Sequence, residues 1–164
     1  MEILGKMLGN GARVKIMRLF LLNKSKGFKS RDIVKRSRLS SDVVRRELKV
    51  LSFVNFIKKR SKISLDWCFN SLFKHGEEFE ELLVRSDTLN KQKLLDNFKN
   101  VGRVKLLVVS GVFIKNNDSR VDLLIVGDKL KRASIEAGIR RLEAEIGAEL
   151  IYAIFDTKEF IYRL

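Results

Sequence analysis

The position of the positive charge constrains this chain more than any other feature of its sequence. The first 62 residues contain 18 Lys and Arg but only four acidic residues, whereas residues 63–164 contain 16 residues of each sign. The whole formal net charge of +14 therefore lies in the first part of the chain. Because a single uniformly basic domain would not show so sharp a step, the sequence predicts two modules, with a boundary within residues 65–90.

Chain length, charge balance and apolar runs indicate what kind of partner this protein binds and in which compartment it is found. A chain of 164 residues is long enough to bury a core, and its basic balance favours a polyanion, nucleic acid ahead of a membrane surface. The longest apolar run, residues 106–114, is much shorter than a membrane-spanning helix, and the N-terminal sequence lacks the pattern of a signal peptide. We therefore expect a cytoplasmic protein with no membrane association.

The pattern of the first 70 residues predicts three helices followed by a hairpin. Residues 12–22 carry apolar side chains three and four apart, and Ser30 can cap a second helix that has Asp32 in its first turn and ends near Ser37. A turn at residues 39–42 leads to the third helix, whose buried face is predicted to hold Val44, Leu48 and Leu51.

The third helix is predicted to end near Asn55, because asparagine tolerates the left-handed conformation common at helix ends. Two β-prone runs, residues 56–60 and 63–69, follow and are separated only by residues 61–62. Together they predict a basic β-hairpin.

Residues 39–51 (LSSDVVRRELKVL) and 55–57 (NFI) resemble the DNA-binding domain of winged helix-turn-helix regulators of the arsenic-repressor type. That family has Ser at the turn, an alternating Val/Arg/Leu recognition helix, and Gly-Leu-Val or a relative before the wing. Asn55 stands where the family usually has glycine.

The resemblance implies that the third helix enters the major groove, with Arg45 and Arg46 reaching guanine or phosphate while the wing cations follow the DNA backbone. The candidate DNA-binding residues are Ser41, Asp42, Arg45, Arg46, Lys49, Lys58, Lys59, Arg60 and Lys62. The alternative is that these cations only solvate a surface helix.

Residues 71–86 form an amphipathic pattern that predicts a linker helix, packed between the modules or against a second subunit.

Cys68 and His75 are the only cysteine and histidine, which excludes an internal disulfide and a Cys/His zinc cluster. Trp67 and Phe69 can either stack on bases or pack on the core.

The pattern of the second module predicts an α/β fold with the order helix, strand, strand, helix, strand. A closing helix is predicted to be capped by Thr157. Its strands are residues 103–109, 120–127 and 149–155, its long helix spans residues 131–147, and helices should cover its apolar strands.

Residues 109–111 (VSG) and 119–126 (SRVDLLIV) resemble the minimal nucleotidyltransferase domain of the DNA polymerase β superfamily. The corresponding pocket residues are Ser110, Gly111, Ser119, Arg120 and Asp122.

The resemblance implies that the metal-binding residues have been lost. Active members hold two divalent cations with an Asp-x-Asp pair and a third acid, but here Arg120 occupies the first Asp position and the third acid falls near Ile151. We therefore expect no catalytic residues, no metal and no cofactor. Arg120 could instead contact a nucleotide phosphate, or pair at the surface with Asp118 or Asp122.

The fold class expected from both resemblances is α+β, a winged helix-turn-helix followed by a small α/β nucleotidyltransferase-like domain with a mixed sheet. The expected domains are residues 1–70, a linker helix at 71–86, and residues 87–164. The expected function is transcription regulation by a homodimer on double-stranded DNA, with the inactive domain used for dimerisation or for binding a protein or nucleotide. The alternatives are an active nucleotidyltransferase targeted by its basic head, with Glu149 or Asp118 as the missing acid, and an RNA-binding or antitoxin-like adaptor.

Overall fold

A computed structural model describes residues 3–61, 63, 65–85, 91–114 and 118–163 of the chain. The protein is a mixed α+β structure that divides into two compact units. The first unit comprises Met1–Asp87 with Glu143–Ala148, and the second comprises Thr88–Leu142 with Glu149–Leu164. Within the described residues, none of the helices has the length and apolar character needed to cross a membrane.

Four helices open the first unit. They are α1 (Ile3–Met7), α2 (Gly11–Leu21), α3 (Ser30–Ser37) and α4 (Ser41–Phe53). The side chain of Asn10 caps α2 by accepting the Ala12 N–H at 2.9 Å. Helix α2 is the central element, because almost all of its residues from Val14 onward are buried and it contacts α1, α3 and α4.

The start of α3 differs from the prediction, in which Ser30 caps the helix. Lys29 occupies the N-cap position, Ser30 is the first helical residue, and the carboxylate of Asp32 accepts the backbone N–H of Lys29 at 3.3 Å. The third helical residue therefore accepts the amide of the N-cap residue, as Glu or Gln does in a capping box, while Lys29 has no side-chain acceptor for the amides of the first turn. Arg38, in the left-handed conformation with φ 54°, ends the helix.

Helix α4 begins as the sequence predicts, after a short turn with a serine cap. The hydroxyl of Ser40 accepts the Val43 N–H at 3.4 Å. The predicted apolar residues Val44, Leu48 and Leu51 are all buried. Asn55, beyond the end of α4, has φ 59°, which confirms the left-handed conformation expected there.

The hairpin consists of β1 (Ile57–Lys59) and β2 (Trp67–Phe69), which are antiparallel with Ile57 opposite Phe69. The predicted two-residue connection at 61–62 is wrong, because residues 60–66 separate the strands. A two-residue hairpin turn requires positive φ and therefore favours Gly or Asn, which Ser61 and Lys62 do not provide. The described apolar residue Ile63 is consequently 96% exposed in this connection.

Residues 71–85 contribute to the first unit instead of forming one continuous linker helix. They contain α5 (Gly76–Glu80) and a π-helical turn at Glu81–Arg85. Leu83 in that turn is fully buried in the core of the first unit, where Phe73 and Phe79 also pack. The apolar face predicted to meet another module or subunit is therefore largely used within this unit.

The second unit contains α6 (Lys91–Asp96), β3 (Arg103–Val109), a 3₁₀ turn (Gly111–Phe113) and β4 (Leu123–Asp128). Helix α7 (Arg132–Ile146), strand β5 (Tyr152–Phe155) and helix α8 (Thr157–Tyr162) complete the chain. The sheet order is β3-β4-β5, with β3 antiparallel and β5 parallel to β4.

The buried apolar side chains of the second unit come mainly from its central strand and its long helix. Leu123 and Ile125 of β4 are fully buried, as is Ile135 of α7. The prediction that helices cover the strands is wrong for β3, since Leu106 and Val108 are exposed. A strand at the edge of a three-stranded sheet has fewer neighbouring elements to cover it.

The cap of α8 also differs from the prediction. The carboxylate of Asp156 accepts the Glu159 N–H at 2.8 Å, so Asp156 is the N-cap in place of Thr157. The Thr157 hydroxyl instead donates to Asp128 at the end of β4, at 2.6 Å. Both residue types are strong capping residues, and the contact to Asp128 determines which of them is used.

Candidate functional site

Helix α4 presents a basic surface on the side opposite its buried apolar residues. With Val44, Leu48 and Leu51 buried, Arg45, Arg46 and Lys49 are exposed. The predicted leading residues Ser41 and Asp42 are also exposed at the start of the helix. The structure therefore brings all five candidate residues of α4 to the outside of the first unit.

The acidic residues of α4 do not neutralise this surface equally. Asp42 lies 3.5 Å from Arg45, but the two side chains are 88% and 80% exposed, and such a surface pair contributes little. Glu47 is only 1% exposed, and its carboxylate accepts hydrogen bonds from Asn10 and from Arg13 at 2.9 Å. Glu47 thus points into the helical bundle, where it ties α4 to the start of α2.

Arg46 differs from Arg45 in its surroundings. Its Nε lies 3.4 Å from Oε1 of the buried Glu47, whereas Arg45 and Lys49 border an open groove. Each arginine thus has one acidic neighbour, a buried one for Arg46 and an exposed one for Arg45, but only Arg45 and Lys49 line the groove. The sequence pattern treats these three cations alike, and the structure distinguishes them.

The hairpin cations also divide into two kinds. Lys58, Lys59 and Arg60 are all exposed, but the Lys59 ammonium lies 3.8 Å from the centroid of the Trp67 ring and donates to the Leu65 carbonyl at 3.0 Å. Lys59 is therefore held against the hairpin by a cation–π contact and a hydrogen bond. Lys62 lies outside the described residues.

An open groove of about 500 Å³ lies beside α4, between this helix and the hairpin. Arg45, Lys49 and Phe53 line it from α4 and Trp67 lines it from β2, with Leu48 and two serines completing the wall. The Phe53 side chain is 84% exposed. The sequence prediction did not include Phe53, although its spacing of four from Lys49 and eight from Arg45 puts all three on one helix face.

The residues predicted to line a pocket in the second unit lie around the turn that follows β3. The Ser110 and Ser119 hydroxyls are 2.8 Å apart, and Gly111 has φ 53°. A Cβ atom built on Gly111 would lie 1.9 Å from a carboxylate oxygen of Asp122, so glycine is required both by its φ and by this close approach. Four of the five predicted pocket residues are therefore neighbours.

The Asp122 carboxylate serves the backbone around it. Oδ1 accepts the Val112 N–H and Oδ2 accepts the Ile151 N–H, each at 2.8 Å. The main chain of Asp122 also bonds to Ile151 and Ser110, so this residue connects the 3₁₀ turn, the start of β4 and the approach to β5. These two N–H donors give the carboxylate a structural role, because it holds the 3₁₀ turn and the approach to β5 against the start of β4.

The remaining predicted position, Arg120, is exposed. Ile151, at the place of the third acid, is also exposed, and its amide is committed to Asp122. Within the ranges that the structure describes, no group of three or more His, Cys, Asp or Glu side chains is arranged to hold a metal ion.

Comparison with known proteins adds no relative to this description: no protein-family model, curated protein or solved structure matches the chain.

Proposed function

We propose that this protein is a DNA-binding transcription regulator whose first unit is a winged helix-turn-helix and whose second unit is a catalytically inactive nucleotidyltransferase-like domain. The observation that carries the proposal is the basic surface of α4 and the hairpin, made of Arg45, Lys49, Lys58 and Arg60. It lies in the part of the chain that holds the entire net positive charge. A polyanion is the complementary partner.

The arrangement of helices supports duplex DNA as that polyanion. Helices α3 and α4 contact one another across a turn of three residues, 38–40, and the exposed face of α4 begins at its first turn. A helix presented in this way fits the major groove, where an arginine can bond to guanine in a bidentate manner. Arg45 is the residue of α4 that we assign to base recognition.

The residues around Asp122 support an inactive second unit. An enzyme of the nucleotidyltransferase type needs several carboxylates to hold two cations, whereas Arg120 and Ile151, both exposed, stand at the positions of the other two acids. We assign this unit to dimerisation or to binding a protein or nucleotide. Exposed Arg120 is the cation that would meet a nucleotide phosphate.

Selection from a random duplex library with the full chain tests the DNA-binding proposal. Arg45→Ala is expected to weaken binding to the selected site by about 1–3 kcal/mol and to relax its sequence preference. Lys58→Ala is the matched control, because it should weaken selected and random DNA alike and flatten the dependence of log K on log salt by about one unit.

For the unaltered chain we expect a slope of about −4 to −7, since the surface has cations for roughly five to eight phosphates. Identical behaviour of the two variants on selected and random DNA would exclude base reading by α4. Absence of duplex binding by the unaltered chain would overturn the proposal itself.

A further inference from the structure

The groove beside α4 combines two aromatic rings with two cations. Phe53 projects from the last turn of the helix and is 84% exposed, and the half-buried Trp67 faces the same space from β2. Arg45 and Lys49 are the two charged side chains lining the groove. A phenylalanine with so much apolar surface in water is stabilised when a flat apolar partner covers it.

The chemistry of this lining defines its occupant. The rings fit a planar apolar body, and the cations fit negative charge attached to it, which together describe a nucleotide unit. A fully paired duplex cannot supply that body, because its base faces are stacked and only the base edges are open in the grooves. The base must therefore be unpaired or turned out of the helix.

We propose that this groove binds an unpaired base of a nucleic-acid strand, with the base against Phe53 and Trp67 and a flanking phosphate on Lys49, while Arg45 keeps its role in base recognition. Lys59, which lies over the Trp67 ring, does not line the groove. The inference rests on the proposed function, since the same helix meets the DNA. It adds that the preferred target contains a locally unpaired nucleotide.

A base within a strand fits better than a free nucleotide because the cationic surface extends beyond the groove. Lys58 and Arg60 are exposed on the hairpin, and Arg46 is exposed on α4 outside the groove lining. These exposed cations are available to further phosphates of the same strand. A free nucleotide would leave them without an anion.

The chain contains a single tryptophan, so its fluorescence reports on the groove directly. We would titrate the full-length protein with three DNA probes of one sequence: a fully paired duplex, the duplex with one extra unpaired adenine, and that duplex with an abasic site replacing the adenine. The unpaired adenine should quench Trp67 and tighten binding about tenfold, because stacking on an aromatic side chain favours a base by this order. The abasic probe should return to the duplex value.

Phe53→Ala tests whether the base stacks on the Phe53 ring, and it retains Trp67 as the fluorescent reporter of binding. This variant should lose most of the tenfold preference for the unpaired adenine, and its exposed position means that the fold does not depend on the ring. Leu72→Ala is the matched control, because Leu72 is equally exposed in the same unit but does not line the groove. It should keep the full preference.

Several outcomes would overturn the inference, and they separate it from the proposed function. Equal binding of all three probes, or an unchanged preference in Phe53→Ala, would reject the base site while leaving duplex recognition intact. Saturable quenching by free adenosine monophosphate at the same concentration as the bulged duplex would assign the groove to a free nucleotide, and stronger quenching by a peptide of Glu and Phe would assign it to a protein. Failure to bind any of the three DNA probes would reject both proposals.

Discussion

At the scale of single residues, Asp122 illustrates a carboxylate that serves the backbone. Its two oxygens accept one N–H each, from Val112 and Ile151. In asparagine only one of the two terminal atoms is an acceptor, and the other is a donor that would face an N–H. We expect Asp122→Asn to lower the free energy of unfolding by about 1–3 kcal/mol, measured by urea denaturation of the full chain.

The control for this variant is Glu136→Gln in the same unit. Glu136 accepts from Arg132 one helical turn away, at 3.2 Å and at the surface. Its replacement should change stability by less than about 0.5 kcal/mol. If Asp122→Asn is as stable as the unaltered chain, the structural role of Asp122 is wrong and its carboxylate becomes a candidate metal ligand again.

At the scale of elements, Asp128 joins three pieces of the second unit. One carboxylate oxygen at the end of β4 lies 2.7 Å from the Lys105 ammonium of β3, and the other accepts from Thr157 of α8. The hydrogen bonds from Lys105 and then Thr157 hold the pKa of Asp128 below its ordinary value of 3.8. The charged form of this carboxylate is therefore the form that connects β3, β4 and α8.

The sign of the pH dependence follows from that lowered pKa. Because the carboxyl has a lower pKa in the folded chain than in the unfolded chain, its stabilisation is present above the unfolded pKa and is lost as the pH falls through the folded pKa. The midpoint of thermal unfolding should therefore fall more steeply below about pH 4 in the unaltered chain than in Asp128→Asn. Thr157→Val should give an intermediate slope, and parallel curves for all three proteins would contradict the prediction.

The hairpin shows what can be predicted about an element and what cannot. The β-prone residues of both strands indicate that it exists, and their pairing agrees. The first residue of its second strand, Trp67, also pairs through its backbone with Phe28 at 2.8 Å in both directions. A partner 39 positions away in the sequence cannot be inferred from a local pattern.

At the scale of the whole molecule, the proposed function predicts a two-fold dimer. A single recognition helix contacts few base pairs, and two half-sites about one helical turn apart increase both affinity and specificity. Sedimentation velocity at micromolar concentration should show a dimer, and selected DNA sites should be palindromic. A monomer with and without DNA, together with sites that lack symmetry, would contradict this prediction.

The sequence by itself determined the features that depend on local periodicity and on residue type. Spacing of apolar residues predicted the buried face of α4, and the tolerance of asparagine for positive φ predicted the conformation of Asn55. The difference in net charge between the two parts of the chain is also a property of the sequence alone, because it follows from counting charged residues. These properties arise from neighbours within a few positions along the chain.

Only the tertiary structure decided how equivalent side chains are used. Arg45 borders a groove while Lys59 is held by Trp67, and Asp122 is bound by amides from two separate segments. The exposure of Phe53 likewise depends on the hairpin packing beside α4. Each outcome depends on groups that are distant in the sequence, and the free energy of such contacts is fixed by the fold that brings them together.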